Sequence, residues 1–339
     1  MVKLRMFDAL LPYYGGKREL CPLIFKRIRK YIPREEWQSK VFVDAFLGSG
    51  AVSLFAKAQG FRIICNDVAE RCYIVGKALI ENNSRYIRDA DICRLTLPNE
   101  GNDHILEYNY VPDVFSKPHA VFLDNAILNC EDEVEKYLLL KYIFKIRPYS
   151  KFSSPNAFNR PFAEGQFDTI KETYTGALKS NLKTPYELLD VLKNRVNAGI
   201  FSNGFRNEIY KDDVFDFLDK VVGDVLYLDP PYAGTLAYET EYAVLDTLLN
   251  DVKRKSKFSS EQGMDVLGEL LAKAEKFPLW VISFGNAGGK NELKSLVKMV
   301  RKYRKCEYKE FAYAHCEAMA SEAHKAQCKE WLLVGYKAD

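Results

Sequence analysis

"KVFVDAFLGSGAVSLFAKAQGFRIICND", residues 40–67, sets out three signals in order: a short apolar run, a glycine-bearing turn that opens an amphipathic stretch, and a second apolar run. Lys40 to Ala45 has the length and the apolar content of a buried strand. The apolar spacing from Ala51 onward suits a helix, and Gly60 stands where a helix C-cap belongs. "FRIICND" reads as a second strand, and "VAERCYIVGKALIEN", residues 68–82, as a second helix. Strand, tight turn, helix, strand and helix in this order open a doubly wound α/β sheet, whose short right-handed crossovers carry helices.

The rhythm stops near Ser84. Up to Asn197 the chain has stretches rich in Pro, Asn and Tyr, a strong helix pattern at Asp132 to Ile146, and the polar, aromatic segment "RPYSKFSSPNAFNRPFAEGQFD" that buries little by itself. This region is predicted to be an inserted, mainly helical subdomain, 84–197, within a catalytic domain formed by 1–83 and 198–339. The α/β rhythm returns at "AGIFSN" and continues through "NEIYKDDVFDFLDKV" and the strands "DVLYL" and "LWVISFG". The terminal pair "CEYKEFAYA" and "EWLLVGYK" is expected to close one sheet edge as an antiparallel hairpin.

Composition narrows the function classes. With 339 residues and 47% hydrophobic content the chain can bury a substantial core. No apolar run approaches the roughly 18 residues that cross a bilayer, and "MVKLRMFDALLPYYGGK" lacks a signal peptide's apolar stretch, so a cytoplasmic protein without membrane contact is expected. The eight cysteines are scattered, with no C-x-x-C pair and no His at ligand spacing, which predicts neither a metal site nor a disulfide framework. A net charge of +3 announces no polyanion partner by itself. The basic stretch 290–309 fits a helix that buries Leu293, Leu296, Val297 and Val300 and presents Lys294, Lys298, Arg301 and Lys302 to solvent, or to phosphates.

Three strands end in carboxylates. Asp44 leads into Phe46-Leu47-Gly48-Ser49-Gly50, where the glycines permit a tight turn and a close ligand approach. The full dinucleotide fingerprint fails, because Ser53 holds the third glycine position. Asp67 ends the second strand, where an acid either accepts from both hydroxyls of a ribose or caps the following helix. Asp229 follows "DVLYL" in Asp229-Pro230-Pro231-Tyr232. The prolines lack N–H groups and stop the strand, and they hold the Asp229 carboxylate and the Pro230 carbonyl as two acceptors at fixed spacing. Such a pair suits an exocyclic amine with two N–H groups. Tyr232 adds a stacking face, so the tetrapeptide meets the needs of a base taken out of its helix.

These blocks together resemble the class α, Dam-like, adenine-N6 DNA methyltransferases. "YYGGK" at 13–17, "VDAFLGSGAVSL" and "VLYLDPPYAG" are similar to the family's aromatic-x-Gly-Gly-Lys, F-x-G-x-G and D-P-P-Y blocks, in the family's order. "SPNAFNRPFAEGQF" resembles its F-N-x-P-F-G recognition segment, with Ala163 in place of the Gly, and "CKEWLLVGYK" its closing strand. Residues 84–131 match none of its blocks.

The resemblance implies a Rossmann-like methyltransferase sheet with an inserted target-recognition subdomain, and S-adenosylmethionine as cofactor. Tyr13, Lys17 and Asp44 would line the cofactor pocket, with Phe46 to Gly50, Gly48 among them, around the methionine moiety, Asp67 on the ribose, and Asp213 near the cofactor adenine. Asp212 or a helix N-cap role for Asp213 stays open. Asp229, Pro230 and Tyr232 would hold the target base. Arg147, Tyr149, Lys151, Asn156, Asn159 and Arg160 form a basic, amide-rich cluster suited to phosphates and base edges, or an ordinary polar loop. The expected partner is double-stranded DNA, joined by a cognate restriction endonuclease where the enzyme is part of a restriction-modification system and not an orphan, with the chain a monomer or weak dimer. A cytosine-N4 enzyme and a silent DNA-binding or regulatory subunit are the alternatives.

Overall fold

Seven strands form one sheet in the order β3-β2-β1-β4-β5-β7-β6 in a computed structural model that describes residues 5–13, 15–111, 114–146, 183–231, 242–252, 256–286, 292–312 and 329–337. The strands are β1 Val41–Asp44, β2 Arg62–Asn66, β3 Glu208–Tyr210, β4 Val225–Leu228, β5 Leu279–Gly285, β6 Lys305–Ala312 and β7 Lys329–Tyr336. The first five pair in parallel. β7 runs antiparallel to both β5 and β6, so the terminal hairpin forms as expected. This seven-stranded α/β sheet is consistent with a methyltransferase fold.

Each face of the sheet is apolar because alternate residues point to opposite sides. On one side Phe42 stacks with Phe25 and Tyr227, and Phe25 also meets Trp37, Phe55 and Phe61. On the other, Val43, Leu226, Leu228, Trp280 and Leu333 join Phe217, Leu267, Leu270, Leu296 and Val300 from the helices Val214–Lys220, Gly263–Lys273 and Leu293–Arg301. The basic stretch is helical only over Leu293–Arg301, and Lys305 to Lys309 belong to β6; Leu296, Val297 and Val300 are buried, Leu293 at the first turn is half-buried, and Lys294, Lys298, Arg301 and Lys302 are exposed.

Two readings need correction. "AGIFSN" is not a strand; the edge strand starts only at Glu208. Asparagine side chains occupy the edge before it: Asn203 Nδ2 donates to the Phe61 carbonyl at 2.7 Å, and Asn207 Oδ1 accepts from Ile63 N at 2.9 Å. The helix expected over 68–82 is divided, α-helical over Glu70–Val75 and π-helical over Gly76–Glu81. The Lys57 ammonium, buried in helix Ala51–Ala58, donates to the carbonyls of Leu79 and Asn82 at 3.0 and 2.7 Å and so satisfies the end of the widened turn.

The sheet belongs to a unit made of Tyr13–Asn83, Ser202–Leu236 and Lys255–Asp339; Met1–Pro12, Ser84–Phe201 and Ala237–Arg254 form the other. The described residues of that second unit contain helices and no strand. Its longest helix, Glu133–Ile146, is buried almost along its whole length. Tyr137 Oη and Lys141 Nζ donate to the Ala9 carbonyl at 2.6 and 2.9 Å, which ties the N-terminal segment to this helix. Glu135, fully buried, accepts from Arg85 and Arg94, each at 2.6 Å. Thr184, Pro185 and Glu187 make a capping box at helix Pro185–Asn197.

Candidate active site

Asp44, Asp67 and Asp229 all stand at carboxyl ends of parallel strands: Asp44 is the last residue of β1, Asp67 follows β2, and Asp229 follows β4. β1 has β2 on one side and β4 on the other. The chain reverses its direction of travel across the sheet here, and it is beyond such strand ends that open α/β sheets place their ligands.

The turn after Asp44 passes through Gly48 at φ 52° and Gly50 at φ 75°, a left-handed backbone that favours glycine. A Cβ on Gly50 would meet Val75 Cγ1 at 2.9 Å, while one on Gly48 would face the Tyr13 ring at 3.7 Å. Tyr13 is held by its hydroxyl, 3.5 Å from Cys72 Sγ. Asp67 fastens this turn to β2: its Oδ2 accepts from Gly48 N at 2.9 Å and its Oδ1 from Ala69 N at 3.1 Å. It is therefore not the N-cap of the next helix, which is Ala69. Burial raises the Asp67 carboxyl above the usual carboxylate range, against these two N–H bonds.

Asp44 is itself buried, and its two oxygens accept from Ser53 Oγ at 2.6 Å and Phe46 N at 3.3 Å. Burial pushes its carboxyl up to about 7; the Ser53 hydroxyl opposes that rise and the Asp229 charge adds to it. Phe46 packs edge-on against Phe258, which stacks on Phe215. Asp213 caps the helix that carries Phe215, accepting from Phe215 N at 2.9 Å, and so performs the cap role left open for it. Asp212 is engaged with Lys220 at 2.8 Å.

Lys17 lies 3% exposed in the same unit. Its ammonium donates to the Gly15 carbonyl at 2.9 Å and pairs with Asp229 Oδ1 at 3.0 Å and Glu330 Oε1 at 3.4 Å. Asp229 keeps 18% of its side chain exposed, and Pro230 behind it is buried. Tyr13, Lys17, Asp44, Phe46, Gly48, Gly50, Asp67 and Asp229 thus sit in one unit around the strand ends. Tyr232 and the cluster Arg147, Tyr149, Lys151, Asn156, Asn159 and Arg160 lie outside the described residues. Sequence reasoning passed over Ser53 as a missing glycine and over Glu330 altogether. The signal for Glu330 was one acid at the start of an otherwise apolar strand, "EWLLVGY".

Among the described residues no group of three His, Cys, Asp or Glu side chains is placed to hold a metal ion, and no helix is long and apolar enough to cross a membrane.

A sequence profile of the D12 class N6 adenine-specific DNA methyltransferases matches residues 13–260. The chain is 25% identical over 305 residues to Type II methyltransferase M2.HphI of Haemophilus parahaemolyticus, covering 86% of this chain and 88% of that protein. It is 24% identical over 297 residues to Type II methyltransferase M.NlaIII of Neisseria lactamica, covering 81% and 84%. Against Type II methyltransferase M.FokI of Planomicrobium okeanokoites it is 27% identical over 260 residues, 70% of this chain but only 36% of that longer protein. Because the profile runs from Tyr13 through the glycine turn and past Asp229 to residue 260, well over half its length, the chain belongs to the D12 class of N6 adenine-specific DNA methyltransferases.

Proposed function

We propose that the chain uses S-adenosylmethionine to methylate the N6 amine of an adenine turned out of double-stranded DNA, as an orphan enzyme or as the modification arm of a restriction-modification system. The observation that carries this reading is the Lys17–Asp229 pair, which presents a partly exposed carboxylate at the end of β4, in the same unit as the glycine turn. The names of the relatives, Type II methyltransferases, support the modification role.

The residues present fit the cofactor. Gly48 and Gly50 bare the backbone at left-handed φ, and at Gly50 a Cβ would crowd Val75. The Asp67 carboxylate uses two of its roughly four acceptor sites on backbone N–H groups and meets the Cys72 thiol as well, which leaves about one lone pair for a ribose hydroxyl. Phe46, Phe215 and Phe258 supply an apolar wall beside Asp213 for a purine ring.

When bound, S-adenosylmethionine supplies a methyl group already activated on a sulfonium, so the protein's work is alignment and exclusion of water. Asp229 and the Pro230 carbonyl accept the two hydrogens of the adenine amine. This draws the nitrogen lone pair out of the ring and stabilises the positive charge that grows there as the new bond forms. Lys17 holds the Asp229 carboxylate in its ionised, accepting form. Tyr232 stacks on the base, and the segment from Arg147 to Arg160, within an 84–197 recognition subdomain, reads phosphates and base edges.

Incubation with methyl-labelled S-adenosylmethionine and plasmid DNA lacking adenine methylation, followed by base mapping, tests the reading. Label on adenine N6 at one short sequence is expected. Label on cytosine or on the protein overturns it, and cofactor binding without transfer identifies a silent DNA-binding subunit instead.

A further inference from the structure

Glu330 stands at the methyl-transfer site without having been claimed by any part of it. It lies near the start of β7, paired across the sheet with Gly285 at the end of β5. Since β7 runs antiparallel to β5, its beginning lies at the edge where the parallel strands end, the edge that carries Asp229. Gly285 has no side chain to compete for that space. Glu330 is fully buried, and its Oε1 lies 3.4 Å from Lys17 Nζ.

The ammonium of Lys17 has three donors on a flexible stem, and alone it would select no one direction. Three oxygens from separate parts of the chain surround it: the Gly15 carbonyl, Asp229 Oδ1 and Glu330 Oε1. Three such points define where a point charge sits. A carboxylate as deeply buried as Glu330 is costly to keep without a cation beside it, so the attraction between the two works in both directions.

We propose that Glu330 is a positioning residue for methyl transfer: it anchors the Lys17 ammonium, and Lys17 in turn fixes the Asp229 carboxylate in the orientation that accepts the target amine. The inference rests on the reading of Asp229 given above. It assigns to the last strand, 313 residues from Lys17 in number but ion-paired with it, a role in the reaction and not only in closing the sheet.

The test is a mutant cycle on the full chain with unmethylated plasmid and S-adenosylmethionine, reading the single-turnover rate, both KM values and the thermal midpoint. Glu330→Met is expected to slow methyl transfer on the order of 10- to 100-fold through misplacement of Asp229, with both KM values within about threefold of wild type. Glu330→Gln, which keeps an acceptor of the same shape, should restore most of that rate. In a Lys17→Met background, Glu330→Met should add less than about a twofold further loss, because residues acting through one another are not additive. A wild-type rate in Glu330→Met, or losses that multiply in the double variant, would overturn the proposal.

Should Glu330→Met fail to fold, acetylation of Lys17 by an amine reagent, followed by mass spectrometry in wild type and Glu330→Ala, carries the test. Faster labelling of Lys17 in the variant is expected, and unchanged labelling overturns the anchoring. That measurement needs no activity, so a wild-type protein that methylates no adenine would refute the reading of Asp229 while leaving the anchor separately decided.

Discussion

Ser53 Oγ donates to Asp44 Oδ2 at 2.6 Å, both groups buried. The position at which the dinucleotide fingerprint breaks is therefore the one that holds the first-strand carboxylate in place. A glycine there would leave Asp44 with the Phe46 N–H at 3.3 Å and no hydroxyl partner.

Restoring the fingerprint should accordingly be harmful. Ser53→Gly and Ser53→Ala remove the partner of a buried carboxyl, which costs about 1–3 kcal/mol, and Gly adds roughly 1 kcal/mol more in the helix. Urea denaturation of the two variants checks this, and equal stability of all three proteins would contradict it.

Asp44 also predicts a pH signature. In the unfolded chain its carboxyl ionises near the ordinary value of about 4, whereas in the folded chain it keeps its proton to about 7. Between those values the folded state binds the extra proton, so stability falls as pH rises, by up to about 1.4 kcal/mol per pH unit, and levels off above the folded value. Asp44→Asn cannot ionise. The stability of Asp44→Asn relative to wild type should rise from pH 4 to pH 7 and then stay flat, as read by denaturant midpoints across that range.

For the chemistry, Asp229→Ala should abolish methyl transfer while leaving most DNA affinity, since it removes the acceptor that favours the transition state more than the ground state. Label incorporation and a binding titration separate the two effects. Near-wild-type turnover would remove Asp229 from the mechanism.

Tyr232→Ala should lose base stacking worth roughly 1–3 kcal/mol, and Tyr232→Phe should be mild. Equal losses in both variants, measured as methylation rate on flipped or mismatched adenine, would assign the effect to the hydroxyl.

In the helical unit, Glu135→Ala would remove the buried carboxylate that Arg85 and Arg94 share, while Arg85 keeps Asp91 and Asp132 and Arg94 keeps Asp91 and Glu131. Their guanidiniums are 30% and 26% exposed, so water recovers part of the loss. A destabilisation of about 1–2 kcal/mol is expected, below the range for a buried pair whose partner is left alone. Thermal melting checks it; a change below about 0.5 kcal/mol would place the pair among ordinary surface contacts.

The amino-acid sequence by itself determined what depends on neighbours along the chain. Hydrophobic periodicity marked β1, β2, β4, β5 and the terminal hairpin, and the residue chemistry marked the glycine turn and the Asp-Pro-Pro stop. The left-handed φ at Gly48 and Gly50 and the strand-ending prolines are properties of those residues wherever the sheet is placed. Local pattern failed where distant groups intervened. "AGIFSN" has a strand's residues, yet the amides of Asn203 and Asn207 take the backbone partners at Phe61, just before β2, and at Ile63 on it, and the helix after Asp67 widens at Gly76, where a Cβ would meet Ile209 at 2.5 Å. Only the tertiary structure decided that Ser53 serves Asp44, that Asp67 pins the glycine turn, and that Glu330 meets Lys17. Each of these is a hydrogen bond or ion pair in a buried site, where a polar group must find its partner through space, and sequence spacing carries no record of that distance.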